Sequence, residues 1–453
     1  MIKRIFFTAA IILLSACTKK LDVKPDQSLI VPNTVADFQA LMDYVDMLNA
    51  FYPSYGEAGA DNYYITDARF NGLASNSERN TYIWGKEIFP AKDAVPPVDW
   101  GNGYVRVNYC NLALEGLEKL NAGTGSTAYN NVRGAALFFR ALSFYTLAGE
   151  FSKPYDSITA ATDPGIPLRV KSDVEIIYQR ASVKATYEQV LSDLAVAMKL
   201  LPDISTFKTR PSKATVYGLL ARIHLDLKNY QEALNYVNLS LAIYHKLLDY
   251  NTLDPGSSLP FNEFNDDVLF YAKLSANGLN RMASMIVDSV LYEQYHDNDL
   301  RKVLFFRDGT GGTKLFKGTY SGNSFQYFGG IGVDEMYITR AECYARTGDV
   351  VHAMEDLNTL LRTRWKSGTY TDMTAADADD ALKKILTERR KELVFRGLRW
   401  VDLRRLNKDA RFAKTLTRMV EGSVYQLPPN DARYVYPIPG DEIMYSGIEQ
   451  NVR

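Results

Sequence analysis

The chain has 453 residues, 46% hydrophobic and 23% charged, and its 52 lysines and arginines nearly balance 53 acids. This composition excludes a disordered polar tail and a basic nucleic-acid binder, and it leaves ample material for a core. Cys17, Cys110 and Cys343 lie too far apart in sequence for a zinc ribbon or a Cys-x-x-Cys redox pair. Whether Cys110 and Cys343 pair is open at this level.

Residues 1 to 16 have a basic start (Lys3, Arg4), an apolar run from Ile5 to Leu14 and a small-residue exit, the pattern of a secretory signal peptide. Leu14-Ser15-Ala16-Cys17 resembles the lipobox of bacterial lipoproteins, which implies cleavage before Cys17 and acylation of its sulfur. Each buried methylene contributes about 0.8 kcal/mol, so several acyl chains hold a protein firmly to a membrane. No later segment offers 18 uninterrupted apolar residues, so attachment is expected through Cys17 alone. Residues 17 to 33 read as the lipidated Cys and a polar tether, and 34 to 453 as one domain.

Helical periodicity predicts helices over 35 to 49, 103 to 121, 130 to 150, 183 to 201, 212 to 227, 230 to 247, 334 to 347, 350 to 364, 378 to 396 and 399 to 407. Tyr217, Ala221, His224, Ala233 and Val237 recur at the same intervals as Tyr337, Ala341, Tyr344, Ala353 and Leu357. This resembles the tetratricopeptide repeat, whose small residues let two antiparallel helices approach closely. Packing alone accounts for His224 and its repeat partners. The repeat-like helices occupy about 130 to 247 and 334 to 407. Between and around them, about 50 to 102, 151 to 182, 248 to 333 and 408 to 453 are rich in Gly, Pro and Asn and are the expected recognition regions.

The segment from Glu388 to Arg405, with Arg389-Arg390-Lys391-Glu392, Phe395, Gly397, Trp400 and Asp402, resembles the signature of the SusD/RagB family of outer-membrane nutrient-binding lipoproteins. Tyr104 with Asn111, Arg133-Gly134 through Arg140-Ala141, Arg340-Ala341-Glu342, and Pro437-Ile438-Pro439 agree with it in order. Arg396 departs from it where the family usually has an acid, as does Ser446-Gly447 where an Asn is common. Because acids and bases alternate through this segment, it reads as an ion-pair network locking the last repeat, with Phe395 and Trp400 beneath, rather than as an anion site.

No zinc-protease, nucleophile-elbow, phosphate-loop or complete calcium-loop motif occurs, and four scattered histidines make a poor set of ligands or bases. No catalytic residue, cofactor or metal is expected, although two carboxylates among 53 acids would suffice for a glycosidase. Aromatic residues are dense between 50 and 110, and again at Phe316, Tyr320, Phe325, Tyr327 and Phe328 among glycines. Flat rings mixed with polar neighbours such as Asp61, Asn62 and Asn323 suit stacking on sugar faces. Tyr63, Tyr64, Arg69, Trp84, Trp100, Phe325 and Tyr327 are the candidate ligand contacts, and joint removal of Tyr63, Trp84 and Trp100 is expected to weaken binding without unfolding.

The resemblance implies an all-α fold of about four tetratricopeptide-like helix pairs carrying a large loop-rich binding part. It also implies a lipid-anchored, surface-exposed protein of a Bacteroidetes-type outer membrane that captures oligosaccharide for a TonB-dependent SusC/RagA-like transporter. A peptide-binding RagB-like uptake lipoprotein is the alternative within the binding class, and a surface glycoside hydrolase the alternative outside it.

Overall fold

The periodic stretches fold as helices close to the spans that their spacing predicts. The computed structural model describes residues 32–90, 93, 97–120, 124–276, 278–279 and 281–453. The signal segment, Cys17 and nearly all of the tether lie outside the described residues. Segment 35 to 49 forms two helices, Val35–Met42 and Val45–Leu48, and Thr34 and Asp37 bond reciprocally to fix entry into the first. After three short helices, Tyr55–Gly59, Asp67–Asn71 and Asn76–Tyr82, the next helix expected from periodicity begins earlier than its pattern, at Val98, and runs as Val98–Lys119.

Helices Thr127–Phe151, Val183–Leu200 and Lys213–Asp226 each start where a serine, Ser126, Ser182 or Ser212, accepts a hydrogen bond from a backbone N–H of the first turn. Thr127–Phe151 pairs with Val183–Leu200, Lys213–Asp226 with Tyr230–Ile243, and Val333–Arg346 with Val350–Arg362. Tyr230–Ile243 packs directly on Val333–Arg346, so the array continues across the 248 to 333 insertion. Ala378–Glu392 then packs on Val333–Arg346, and Arg399–Leu406 follows it. Ala221, Ala233, Val237, Ala341, Ala353 and Leu357 are wholly buried, as close helix approach requires. His224 stacks on Tyr236 at 5.4 Å, a packing role.

Short antiparallel strands are confined to the irregular part. A four-stranded sheet orders Tyr63–Tyr64, Ile286–Val287, Lys314–Phe316 and Phe306–Asp308, so it ties the segment after residue 50 to the long insertion. A hairpin of Leu416–Val420 and Ser423–Leu427 turns at Glu421 and Gly422, whose φ values of 50° and 78° match the twist of a tight two-residue turn. One hydrophobic core runs through both parts; Phe138 and Phe139 of the array meet Phe270 of the insertion edge-on at 5.0 and 5.8 Å. Cys110 and Cys343 are both buried and unpaired.

The charged segment is the ion-pair network that its alternation suggests, but half of its partners come from the irregular part. Arg301, fully buried, bonds Asp299 at 2.7 Å, Glu388 at 2.6 Å and Glu392 at 2.9 Å. Arg364 joins Glu392 to Asp267. Arg405 grips Glu342 through two nitrogens and also bonds Asp402, which in turn holds Arg389. Arg390, Arg399 and Lys414 converge on Asp61. Arg396, the family departure, bonds Asp334 at 3.0 Å and lies over Tyr320 and Phe328. Phe395 and Trp400 are buried beneath this network. Breaking one member of such a buried set costs about 3–5 kcal/mol, because the remaining charge has no water to return to.

Candidate functional site

In the two-residue strand Tyr63–Tyr64, successive side chains point to opposite faces, and the consequence is direct: Tyr63 is 3% exposed and Tyr64 40%. Tyr63 donates its hydroxyl to the Ala58 carbonyl at 2.6 Å, and burial pushes that hydroxyl's pKa up against the opposing pull of Arg418. The Arg418 guanidinium carbon lies 4.0 Å from the Tyr82 ring centre and 4.7 Å from Trp84, while its nitrogens donate to the carbonyls of Ala58, Ala60 and Tyr82. Trp84 gives its indole N–H to the Gly59 carbonyl at 2.9 Å. These groups form the wall of a cleft of about 430 Å³, whose mouth is set by Tyr64, Asp288, Lys414 and Met419. Burial opposes ionisation of Asp61 at its base, but Arg399, Arg390 and Lys414 outweigh it and hold the carboxyl well below the usual range.

A larger cleft, about 920 Å³, opens beside the last two strands of the same sheet, along Phe316, Lys317 and Arg307, with Leu259, Met282 and Phe325 as further apolar lining. Phe325 is 74% exposed at its rim. The presentation is local: Gly322 takes φ 71°, and the Asn323 side-chain oxygen accepts from the backbone N–H groups of Phe325 and Gln326 at 2.9 Å, so the turn holds the ring outward. Lys317 gives its ammonium to the carbonyls of Pro255 and Ser257, which ties down the facing loop. Arg281 and Arg307 complete the polar lining. Glu78 is the one carboxylate among the described lining residues, and it accepts from the Ala74 N–H at 3.1 Å. Gly278 packs closely beside it: a Cβ there would meet the Glu78 carboxylate, and that side chain would have to shift. Arg69 donates to the Gly278 carbonyl and so braces the cleft from behind.

The structure therefore brings Tyr63, Tyr64 and Trp84 together at the smaller cleft and sets Phe325 at the rim of the larger one, with Arg69 behind its wall and outside the lining. Trp100 and Tyr327 join neither. Trp100 packs edge-on against Phe151 at 5.1 Å and donates to Glu442. Tyr327 is buried and stacked on Phe395 at 5.4 Å. Tyr63, Trp84 and Trp100 are each at most 4% exposed with their polar tips bonded internally, so the expectation that all three could be removed without unfolding is corrected: they are framework. Met282, Arg281 and Arg307 were missed because isolated residues in an aperiodic segment carry no sequence signal. A third cavity, about 570 Å³, lies between Lys153–Pro164 and the C-terminal residues 430–452 and contains none of the candidate rings. Among the described residues, no cluster of three His, Cys, Asp or Glu side chains is arranged to hold a metal ion, and no helix is long and apolar enough to cross a membrane.

Residues 19–225 match the family model described as starch-binding associating with outer membrane, and residues 331–452 match the SusD family model. SusD-like protein P2 of Formosa agariphila is 24% identical over 415 residues, covering 76% of this chain and 77% of that protein. A SusD superfamily protein of Bacteroides thetaiotaomicron superposes with a TM-score of 0.74 at 20% identity, covering 93% of this chain and all of that one. A laminarin-binding SusD-like protein superposes at 0.66 with 18% identity, covering 92% and 98%. The two family models bracket the insertion, and the superpositions carry the same fold across it. The chain belongs to the SusD/RagB family.

Proposed function

We propose that the protein is a cell-surface lipoprotein, anchored through Cys17, that captures oligosaccharide and delivers it to a TonB-dependent SusC-like transporter of the outer membrane. The observation that carries the binding half is Phe325, a large ring held mostly exposed at the rim of the larger cleft by the Asn323 turn. Exposing such a ring forfeits burial worth about 1.5–3 kcal/mol, a cost that a binding surface recovers when a sugar face covers it. Tyr64 offers a second open ring at the smaller cleft, and Tyr63 and Trp84 hold that wall rigid. The relative described as laminarin-binding and the family model described as starch-binding support a glycan over a peptide.

Binding without chemistry fits the larger cleft, whose described lining supplies one carboxylate where glycosidic hydrolysis uses two. The helical array is the surface left for the transporter. Calorimetric titration of the purified protein with starch and laminarin oligosaccharides and with mixed peptides tests the reading: glycans bind, Phe325→Ala weakens them about tenfold or more, and the oligosaccharides are recovered uncut. Peptide binding in place of glycan binding, or cleavage of the bound sugar, would overturn it.

A further inference from the structure

The larger cleft is electrostatically one-sided. Among the described lining residues, Arg281, Arg307 and Lys317 stand against one carboxylate, that of Glu78, which is buried and already accepts the Ala74 N–H. Elsewhere around the platform arginines are consumed by the protein itself: Arg301, Arg364, Arg390 and Arg399 by acids, Arg69 and Arg418 by carbonyls. Arg281 and Arg307 are different. Among the described residues the Arg281 guanidinium has no partner, and that of Arg307 reaches only the Asp308 carbonyl, at 3.5 Å. Both side chains are exposed in the cleft. Lys317 sits near enough to Arg307 to register its charge: burial lowers the ammonium pKa most, Asp254 opposes it, and Arg307 adds a smaller lowering. Among the described residues, Arg281 and Arg307 thus line the cleft without an ion-pair partner, while Asp254 acts on Lys317.

A neutral sugar offers hydroxyls, which need no such arrangement. A planar guanidinium matches a carboxylate or sulfate oxygen pair through two parallel N–H bonds, and those charged bonds are about twice as strong as neutral ones. We infer that the oligosaccharide this cleft takes is acidic, bearing carboxylate or sulfate groups that Arg281 and Arg307 bind while Phe325 stacks on a sugar face. The inference rests on the glycan-binding reading and specifies its substrate class. Lys317, spent on the Pro255 and Ser257 carbonyls, contributes field and loop position instead of a direct contact.

The test uses matched pairs titrated calorimetrically into the purified protein: oligogalacturonate against its carboxyl-reduced neutral form, and a sulfated galactan oligosaccharide against its desulfated form. The acidic member of at least one pair binds roughly tenfold or more tighter, its affinity falls as sodium chloride is raised, and Arg281→Gln or Arg307→Gln removes most of the preference. Which pair responds distinguishes carboxylate from sulfate. Neutral members binding as well as acidic ones in both pairs would overturn the inference and leave glycan capture standing. An acidic preference untouched by both arginine substitutions would overturn the site. Silence of all four sugars, together with starch and laminarin, would overturn the glycan reading as well.

Discussion

Arg301 and Glu392 meet at 2.9 Å with neither side chain exposed, joining the irregular half of the chain to the last long helix of the array. Glu392 also bonds Arg364 at 2.8 Å, so one carboxylate serves two buried guanidinium groups. Glu392→Ala leaves both partly unpaired and is expected to cost about 3–5 kcal/mol. Denaturant unfolding measures it; a loss below about 1 kcal/mol would mean the network is not what fixes the binding part to its scaffold.

Trp84 and Phe325 are rings of opposite standing. Trp84→Ala opens a cavity beside Arg418 and is expected to lose about 3–5 kcal/mol of stability. Phe325→Ala removes a ring that packs on little and is expected to change stability by less than about 0.5 kcal/mol. Thermal melting of the two variants checks the contrast, and equal losses would contradict it.

Glu57, buried, has a carboxyl pKa raised from 4.5 to about 7, chiefly by desolvation, against the pull of the Gly397 N–H and Asn62. The folded state therefore holds this proton at pH values where the unfolded chain has released it. The contribution of Glu57 to stability is undiminished below about pH 4.5 and falls as the pH rises through about 7. Relative to Glu57→Gln, the wild type is expected to lose on the order of 3 kcal/mol across that interval. Urea midpoints of both proteins from pH 5 to 8 measure the difference, and a pH-independent gap would rule the effect out.

Gly116 lies in the Val98–Lys119 helix, where alanine would ordinarily gain about 1 kcal/mol. A Cβ at that position would overlap the Phe38 ring, so Gly116→Ala is expected to destabilise by about 1–3 kcal/mol instead. A raised melting temperature would show that the first helix yields more easily than its packing implies.

The array was legible because its pattern is local. Alanines at repeat spacing, serines before apolar runs and the charged segment from Glu388 each announce a helix, a cap or a lock within a few residues. The binding part was legible only as composition. Tyr63 and Tyr64 are identical in type and adjacent, yet strand alternation buries one and opens the other. Phe325 and Tyr327 are likewise separated by the Asn323 turn, which a sequence shows as polar residues without saying which ring they lift. The acids that complete the network, Asp61, Asp267 and Asp299, arrive from distant loops whose folding no periodicity encodes.

The most direct measurement is the crystal structure of the protein with a bound oligosaccharide. A sugar ring stacked on Phe325 in the larger cleft, within hydrogen-bond distance of Arg281 or Arg307, is the predicted result. An oligosaccharide lodged instead in the C-terminal cavity beside Arg404 and Tyr434, with the Phe325 ring uncovered, would contradict the account.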